Sequence, residues 1–216
     1  MKTIEIDSTN PRPDLLNAAV STLREGSLAV VATDTAWSIV GDPFQTATVQ
    51  RLARLRERHA GSQEESKRKA AQPMSLLFGE VADCGRYVLL DQPQFRFLRR
   101  LLPGPYTMLL PASREVPRLL QTRRKAVGVR VPDHPVCNML LRLLGAPLTA
   151  CTARAQDGEI LLSGTDIEQA LDRDVALFIE TEPFLPEPST VIDYTGDSPI
   201  LLRAGKGPIE DDWLAP

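Results

Sequence analysis

The chain is poor in the residues that build metal and disulfide scaffolds: it has three cysteines and two histidines in 216 residues. Cys84, Cys137 and Cys151 are an odd number with no C-x-x-C spacing, which argues against a disulfide framework or a zinc site. They fit a reducing cytosol, the location the sequence predicts. His59 and His134 are too few for a histidine-rich metal centre. No run of about 18 apolar residues occurs, so no membrane span is expected. The longest runs, such as Leu28–Ala32, have the length of a strand. The first residues, Met1 to Glu5, lack the charged, apolar and small-residue order of a secretory signal. The common nucleotide loops, G-x-x-x-x-G-K-[ST] and G-x-G-x-x-G, are both missing. So is G-x-S-x-G.

What is present is ordinary in amount and uneven in placement. Hydrophobic residues make up 43% and charged residues 25%, the balance of a globular domain. The length suits a single domain with a substantial core. Net charge is −3, yet residues 51–154 carry +11 and residues 155–216 carry −11. Twenty of the 25 basic residues are arginine, the better fork for phosphate and carboxylate. The basic middle either packs against the acidic end or faces a polyanion.

Apolar periodicity alternates between strand and helix. Leu15, Leu16, Ala19, Val20 and Leu23 predict a helix ending at Gly26. Thr46 is a candidate cap for a helix carrying Val49, Leu52 and Leu55. Residues 95–102 and 136–144 predict further helices. Apolar segments predict strands at 28–32, 37–40, 74–78, 106–110, 126–131, 147–153, 175–180, 189–194 and 200–203. Most are continuously apolar, as strands covered on both faces are. The expected class is α/β, one layered domain around a mixed, twisted sheet, with its core over about 15–207. Residues 59–72 lack apolar period and predict a long mobile loop, and 208–216 predict an acidic, solvated tail.

Polar residues collect at the ends of these strands: Thr33 and Thr35, Thr107, Thr152 and Arg154, Ser189 and Arg203. Arg56 and Arg58 end the second helix. Ligands of open α/β sheets gather at strand ends, and arginines with hydroxyls suit a phosphate-bearing ligand. Each has a plainer role open to it: Thr33 and Thr35 as turn residues, Arg56 and Arg58 as basic residues at a helix C-terminus, and Thr152 as a β-branched strand residue. Arg130 stands apart, inside the apolar stretch 126–131, where it needs an anionic partner. That partner is either a ligand or a structural carboxylate.

In order along the chain, these segments resemble the YrdC-like family of L-threonylcarbamoyladenylate synthases. Ala32-Thr33-Asp34-Thr35-Ala36-Trp37-Ser38-Ile39 resembles P-T-D-T-[VA]-Y-G-L, and Arg56-Glu57-Arg58 falls at K-x-R. Pro73-Met74-Ser75-Leu76-Leu77 resembles P-L-x-[LV], and Pro103-Gly104-Pro105-Tyr106-Thr107 resembles P-G-P-x-T. Gly128-Val129-Arg130-Val131-Pro132, Ser189-Thr190-Val191-Ile192-Asp193 and Leu202-Arg203-Ala204-Gly205 follow in register with the family pattern. Thr152-Ala153-Arg154 stands where the family has S-x-N, and this departure is more like the YciO branch than the dedicated synthases. The resemblance implies ATP-dependent synthesis of L-threonylcarbamoyl-AMP from threonine and bicarbonate, feeding a tRNA modification. It implies Thr33, Thr35 and Thr107 for threonine. Arg56, Arg58, Thr152, Arg154, Ser189 and Arg203 fall to the nucleotide and its phosphates and Arg130 to the reacting anion, with Arg56, Arg58 and Arg130 as the catalytic candidates. Mg2+ is expected to enter with ATP, with no tightly bound cofactor. Arg154 in place of asparagine opens a second possibility, a nucleotide- or RNA-binding module with little synthase activity.

Overall fold

The computed structural model describes residues 1–64, 74–122 and 125–210. Ten strands form one mixed sheet: β1 (Lys2–Glu5), β2 (Ala29–Val31), β3 (Ser38–Gly41), β4 (Ser75–Leu77), β5 (Tyr106–Pro111), β6 (Ala126–Arg130), β7 (Leu148–Thr152), β8 (Leu177–Glu180), β9 (Thr190–Asp193) and β10 (Ile200–Arg203). Their spatial order is β1-β8-β2-β3-β7-β4-β6-β5-β9-β10. The pairs β1–β8, β8–β2, β4–β6 and β5–β9 are parallel and the rest antiparallel. The expected mixed α/β class therefore holds.

Among the described residues the α-helices are α1 (Pro13–Arg24), α2 (Thr46–Arg58), α3 (Val81–Cys84), α4 (Gln92–Leu101), α5 (Pro135–Leu144) and α6 (Gly164–Leu171). Leu16, Ala19, Val20 and Leu23 of α1 lie on one stripe, as do Val136, Cys137, Leu140 and Leu141 of α5. Both stripes share a core with Ala29, Val31, Val40, Leu148 and Leu177 on one face of the sheet. The opposite face packs Val30, Ile39, Leu76 and Val129 against Val49, Leu52 and Leu55 of α2 and Leu98 of α4. Alternation of side chains along each strand divides the two cores, and burial on both faces explains the continuously apolar strands.

Three features depart from the periodicity. β1 is a sheet edge, and its partly exposed residues carry no apolar run. α6 is opened by a reciprocal cap: the Asp166 amide donates to Ser163 Oγ and the Ser163 amide to the Asp166 carboxylate. Thr46 is the first residue of α2, and Gln45 occupies the capping position with no side-chain bond to the helix; its side-chain amide donates instead to Arg24 O and Asp42 Oδ2, at 2.9 and 3.0 Å. The predicted mobile loop begins as something else. His59 and Ala60 are buried, at 3% and 4% exposure, and residues 65–72 lie outside the described residues. The tail is tethered at its start, where the Tyr106 hydroxyl donates to Pro208 O at 2.8 Å and Glu210 pairs with Arg100. Residues 211–216 lie outside the description.

Candidate functional site

Strand register builds one wall of a cavity. Ser38 lies opposite Thr152, Ala150 opposite Ser75, Ser75 opposite Gly128, and Gly128 opposite Leu109. Leu77 faces Arg130 and Thr107 faces Val191 in the same way. Alternation puts all of these on the face that α1 and α5 cover. The helical layer reaches Leu77, Leu148 and Ala150. Toward β9 the face opens into a cavity of about 220 Å³, lined by Ser38, Ser75, Thr107, Arg130, Thr152 and Ser189 among others. Gly128 leaves the middle of this wall without a side chain. A Cβ there would stand 2.8 Å from Ser75 Oγ.

The lining continues to Arg56 and His59 at the end of α2, to Cys151 and Arg154 of the β7 segment, and to Arg203 on β10. Four arginines from four parts of the chain thus meet at one concavity. Burial pushes the Arg56 guanidinium below its ordinary value, and Cys151 and Glu57 pull it partly back. Arg203 donates from Nε and Nη2 to the Ser189 carbonyl, at 3.2 and 2.7 Å. Ser189 Oγ lies 2.9 Å from Thr107 Oγ1. Here Thr107, Ser189 and Arg203 form one connected group, as their placement at strand ends suggested.

Arg130 is buried on β6, and its anionic partner is Asp34, whose carboxylate it meets directly. The side chains are 8% and 11% exposed. The same nitrogen reaches Thr33 Oγ1 at 3.3 Å. Lys206 Nζ donates to the Asp34 carbonyl at 2.6 Å, so the last strand's exit is tied to the same turn. Asp34 Oδ2 and Arg130 Nε are buried without a hydrogen bond among the described residues. Of the two partners the sequence left open for Arg130, the structural carboxylate is present, and the side chain still borders the cavity.

The other predicted residues divide. Thr33 and Thr35 are 1% and 2% exposed and hold the turn after β2. Thr33 Oγ1 donates to Ala36 O at 2.7 Å and accepts from the Ala36 amide at 3.2 Å. Neither threonine borders the cavity. Arg58 is turned away from it and pairs with Asp174. Arg154 borders it, but Nη1 donates to the Gly158 carbonyl at 2.6 Å. Sequence reasoning did not single out Asp34, Ser75, His59 or Cys151. Ser75 and Asp34 stood inside family-like segments, and Cys151 inside the strand predicted at 147–153. His59 sat in a stretch read as loop, because a buried turn leaves no periodicity.

This fold is shared with proteins of known structure. The Sua5/YciO/YrdC family profile, described as telomere recombination, matches residues 21–205. The chain belongs to this family. It is 30% identical over 207 residues to the uncharacterized protein YciO of Escherichia coli (strain K12), covering 95% of this chain and 96% of that one. The crystal structure of E. coli YciO superposes with a TM-score of 0.85 at 28% identity, covering 99% and 98% of the two chains. The threonylcarbamoyl-AMP synthase of Chromohalobacter salexigens is 28% identical over 181 residues, covering 83% and 92%. P. abyssi Sua5, solved with L-threonine, shares the fold with a TM-score of 0.82 at 24% identity, covering 95% of this chain and 58% of that one.

Proposed function

We propose that the cavity binds ATP and supports synthesis of L-threonylcarbamoyl-AMP from threonine and bicarbonate. The observation that carries this reading is the convergence of Arg56, Arg130, Arg154 and Arg203 with Thr107, Thr152 and Ser189 on one cavity. Relatives named threonylcarbamoyl-AMP synthase support the choice of reaction. Threonine nitrogen joins the carbon of bicarbonate with loss of water, and the resulting carbamate oxygen attacks the α-phosphorus. Pyrophosphate leaves with the electrons of the broken P–O bond. Such chemistry asks mainly for alignment and for cations around the phosphates. In this reading Arg56 and Arg203 meet the phosphates, Thr152 and Ser189 complete the oxygen shell, and Thr107 meets the amino acid. Thr33, Thr35 and the Arg130–Asp34 pair shape the turn beneath the amino acid. Arg58 acts through its ion pair at the base of α2. Mg2+ enters with the nucleotide. Enclosure of the arginines in a small concavity favours a single nucleotide over a strand of RNA.

ATP binding is read by thermal unfolding. At about 100 times its dissociation constant, a ligand adds roughly 2.7 kcal/mol to stability. A melting temperature that rises with ATP and Mg2+ is the expected result. No change at saturating nucleotide contradicts the reading.

A further inference from the structure

Asp34 is gripped from two sides. Arg130 meets its carboxylate, and Lys206 Nζ donates to its carbonyl at 2.6 Å, across 172 residues of chain. The next carbonyl of the turn is taken too, because the Glu187 amide donates to Thr35 O at 2.7 Å. The Lys206 amide donates to Pro188 O at 2.8 Å and so joins these two holds. The backbone that carries Lys206 is fixed on both flanks. The Gly205 amide donates to Thr190 Oγ1 at 3.0 Å, and Thr190 Oγ1 donates to Gly207 O at 2.6 Å. Gly205 packs so closely that a Cβ would fall 2.2 Å from Pro188 O. An exposed lysine is ordinarily a solvated cation on a flexible stem. Lys206 is exposed, yet its fixed backbone sets the ammonium against one carbonyl.

Two routes lead from this contact to the cavity. Through Asp34 it reaches Arg130, which borders the cavity and whose Nη2 also meets Thr33 Oγ1 at 3.3 Å. Through Pro188 it reaches Ser189, whose hydroxyl lies 2.9 Å from that of Thr107, and both residues border the cavity. Lys206 itself does not border it. We infer that Lys206 is a positioning residue for the amino-acid end of the cavity: it holds the Thr33–Thr35 turn, and through Asp34 the Arg130 guanidinium, in register with Thr107 and Ser189. This rests on the reading that places threonine beside Thr107. A site held in its binding geometry spends less free energy on ordering when the ligand arrives. Arg56 and Thr152 lie on α2 and β7, away from this contact, and Arg203 keeps its own two bonds to Ser189 O. Nucleotide affinity therefore does not depend on Lys206.

The test is calorimetric titration of the full-length protein with α,β-methylene-ATP, and then of the nucleotide-saturated protein with threonine. In Lys206→Met the dissociation constant for threonine should rise about tenfold, the loss of one charge-assisted hydrogen bond, while that for the nucleotide stays within about twofold. Lys206→Arg keeps a cationic donor and should restore most of the threonine affinity. A role in stability alone would lower the melting temperature and weaken both ligands together. Unchanged threonine affinity in Lys206→Met, or an equal loss for both ligands, overturns the inference and leaves the proposed reaction standing. Wild-type protein that binds the nucleotide and not threonine overturns the amino-acid assignment, and the inference with it.

Discussion

His59 Nδ1 donates to the carbonyl oxygen of Arg154 across 95 residues of chain, at 2.6 Å. The contact closes a clasp between the end of α2 and the hairpin after β7. Arg154 Nη1 holds the Gly158 carbonyl, and Gly61 lies against Asp157 and Gly158 backbone to backbone. One end of the cavity rests on this clasp.

Gly61 carries the first prediction. It has φ of +84°, and a Cβ there would fall 2.0 Å from Asp157 O. Alanine meets both a left-handed backbone and a collision with main chain. Gly61→Ala should cost more than about 1 kcal/mol, read from the urea midpoint. A midpoint equal to wild type contradicts the clasp.

Arg130 and Asp34 form a buried pair, and removing one partner leaves the other charge without compensation. Arg130→Ala should destabilise the fold by about 3–5 kcal/mol. Arg130→Met with Asp34→Leu should recover a large part of that loss. A fully stable Arg130→Ala protein would show that the pair is not structural.

Arg130 was legible in the sequence because an arginine within Ala126-Val127-Gly128-Val129 has no water to face. Asp34 was not, since it lies 96 residues away and only the sheet order joins them. Thr107 with Ser189 was legible as polar ends of apolar strands, and the parallel pairing of β5 with β9 unites them. Arg58 adjoins Arg56 in sequence, but two residues apart on a helix point to different sides, and Arg58 pairs with Asp174 away from the cavity. α6 escaped although Ser163 and Asp166 carry a capping signal, because its apolar stripe is short: only Ile167 and Leu171 are buried.

His134 gives a pH dependence. Burial holds its imidazole below the ordinary 6.5, outweighing the pull of Asp34, Glu182 and Asp133. The unfolded chain therefore binds a proton that the folded chain refuses in the window just below 6.5, and stability rises with pH there. This contribution is complete above 6.5 and is lost as pH falls toward the folded value. Urea midpoints at about pH 7.5 and about pH 5.5 should differ less in His134→Gln than in wild type. An identical difference contradicts the assignment.

Arg154→Asn removes a charged donor from the Gly158 carbonyl. Hydrogen bonds to charged groups are worth about 1.5–3 kcal/mol, so stability should fall by that order. The side chain also narrows one end of the cavity, and asparagine restores the family residue there. Any adenylate synthesis should therefore rise in Arg154→Asn, assayed well below its melting temperature. A slower or unchanged mutant would mean that the clasp serves turnover more than Arg154 impedes it.

Adenylate synthesis in the arginine-lined cavity is read from product formation. Purified protein is mixed with ATP, Mg2+, threonine and bicarbonate, and both pyrophosphate and the adenylate are measured by chromatography and mass spectrometry. L-threonylcarbamoyl-AMP and pyrophosphate are expected in equal amounts, dependent on threonine and on bicarbonate, and lost in Arg56→Ala with Arg203→Ala. Absence of the adenylate from folded wild-type protein at saturating substrates would contradict the proposed function.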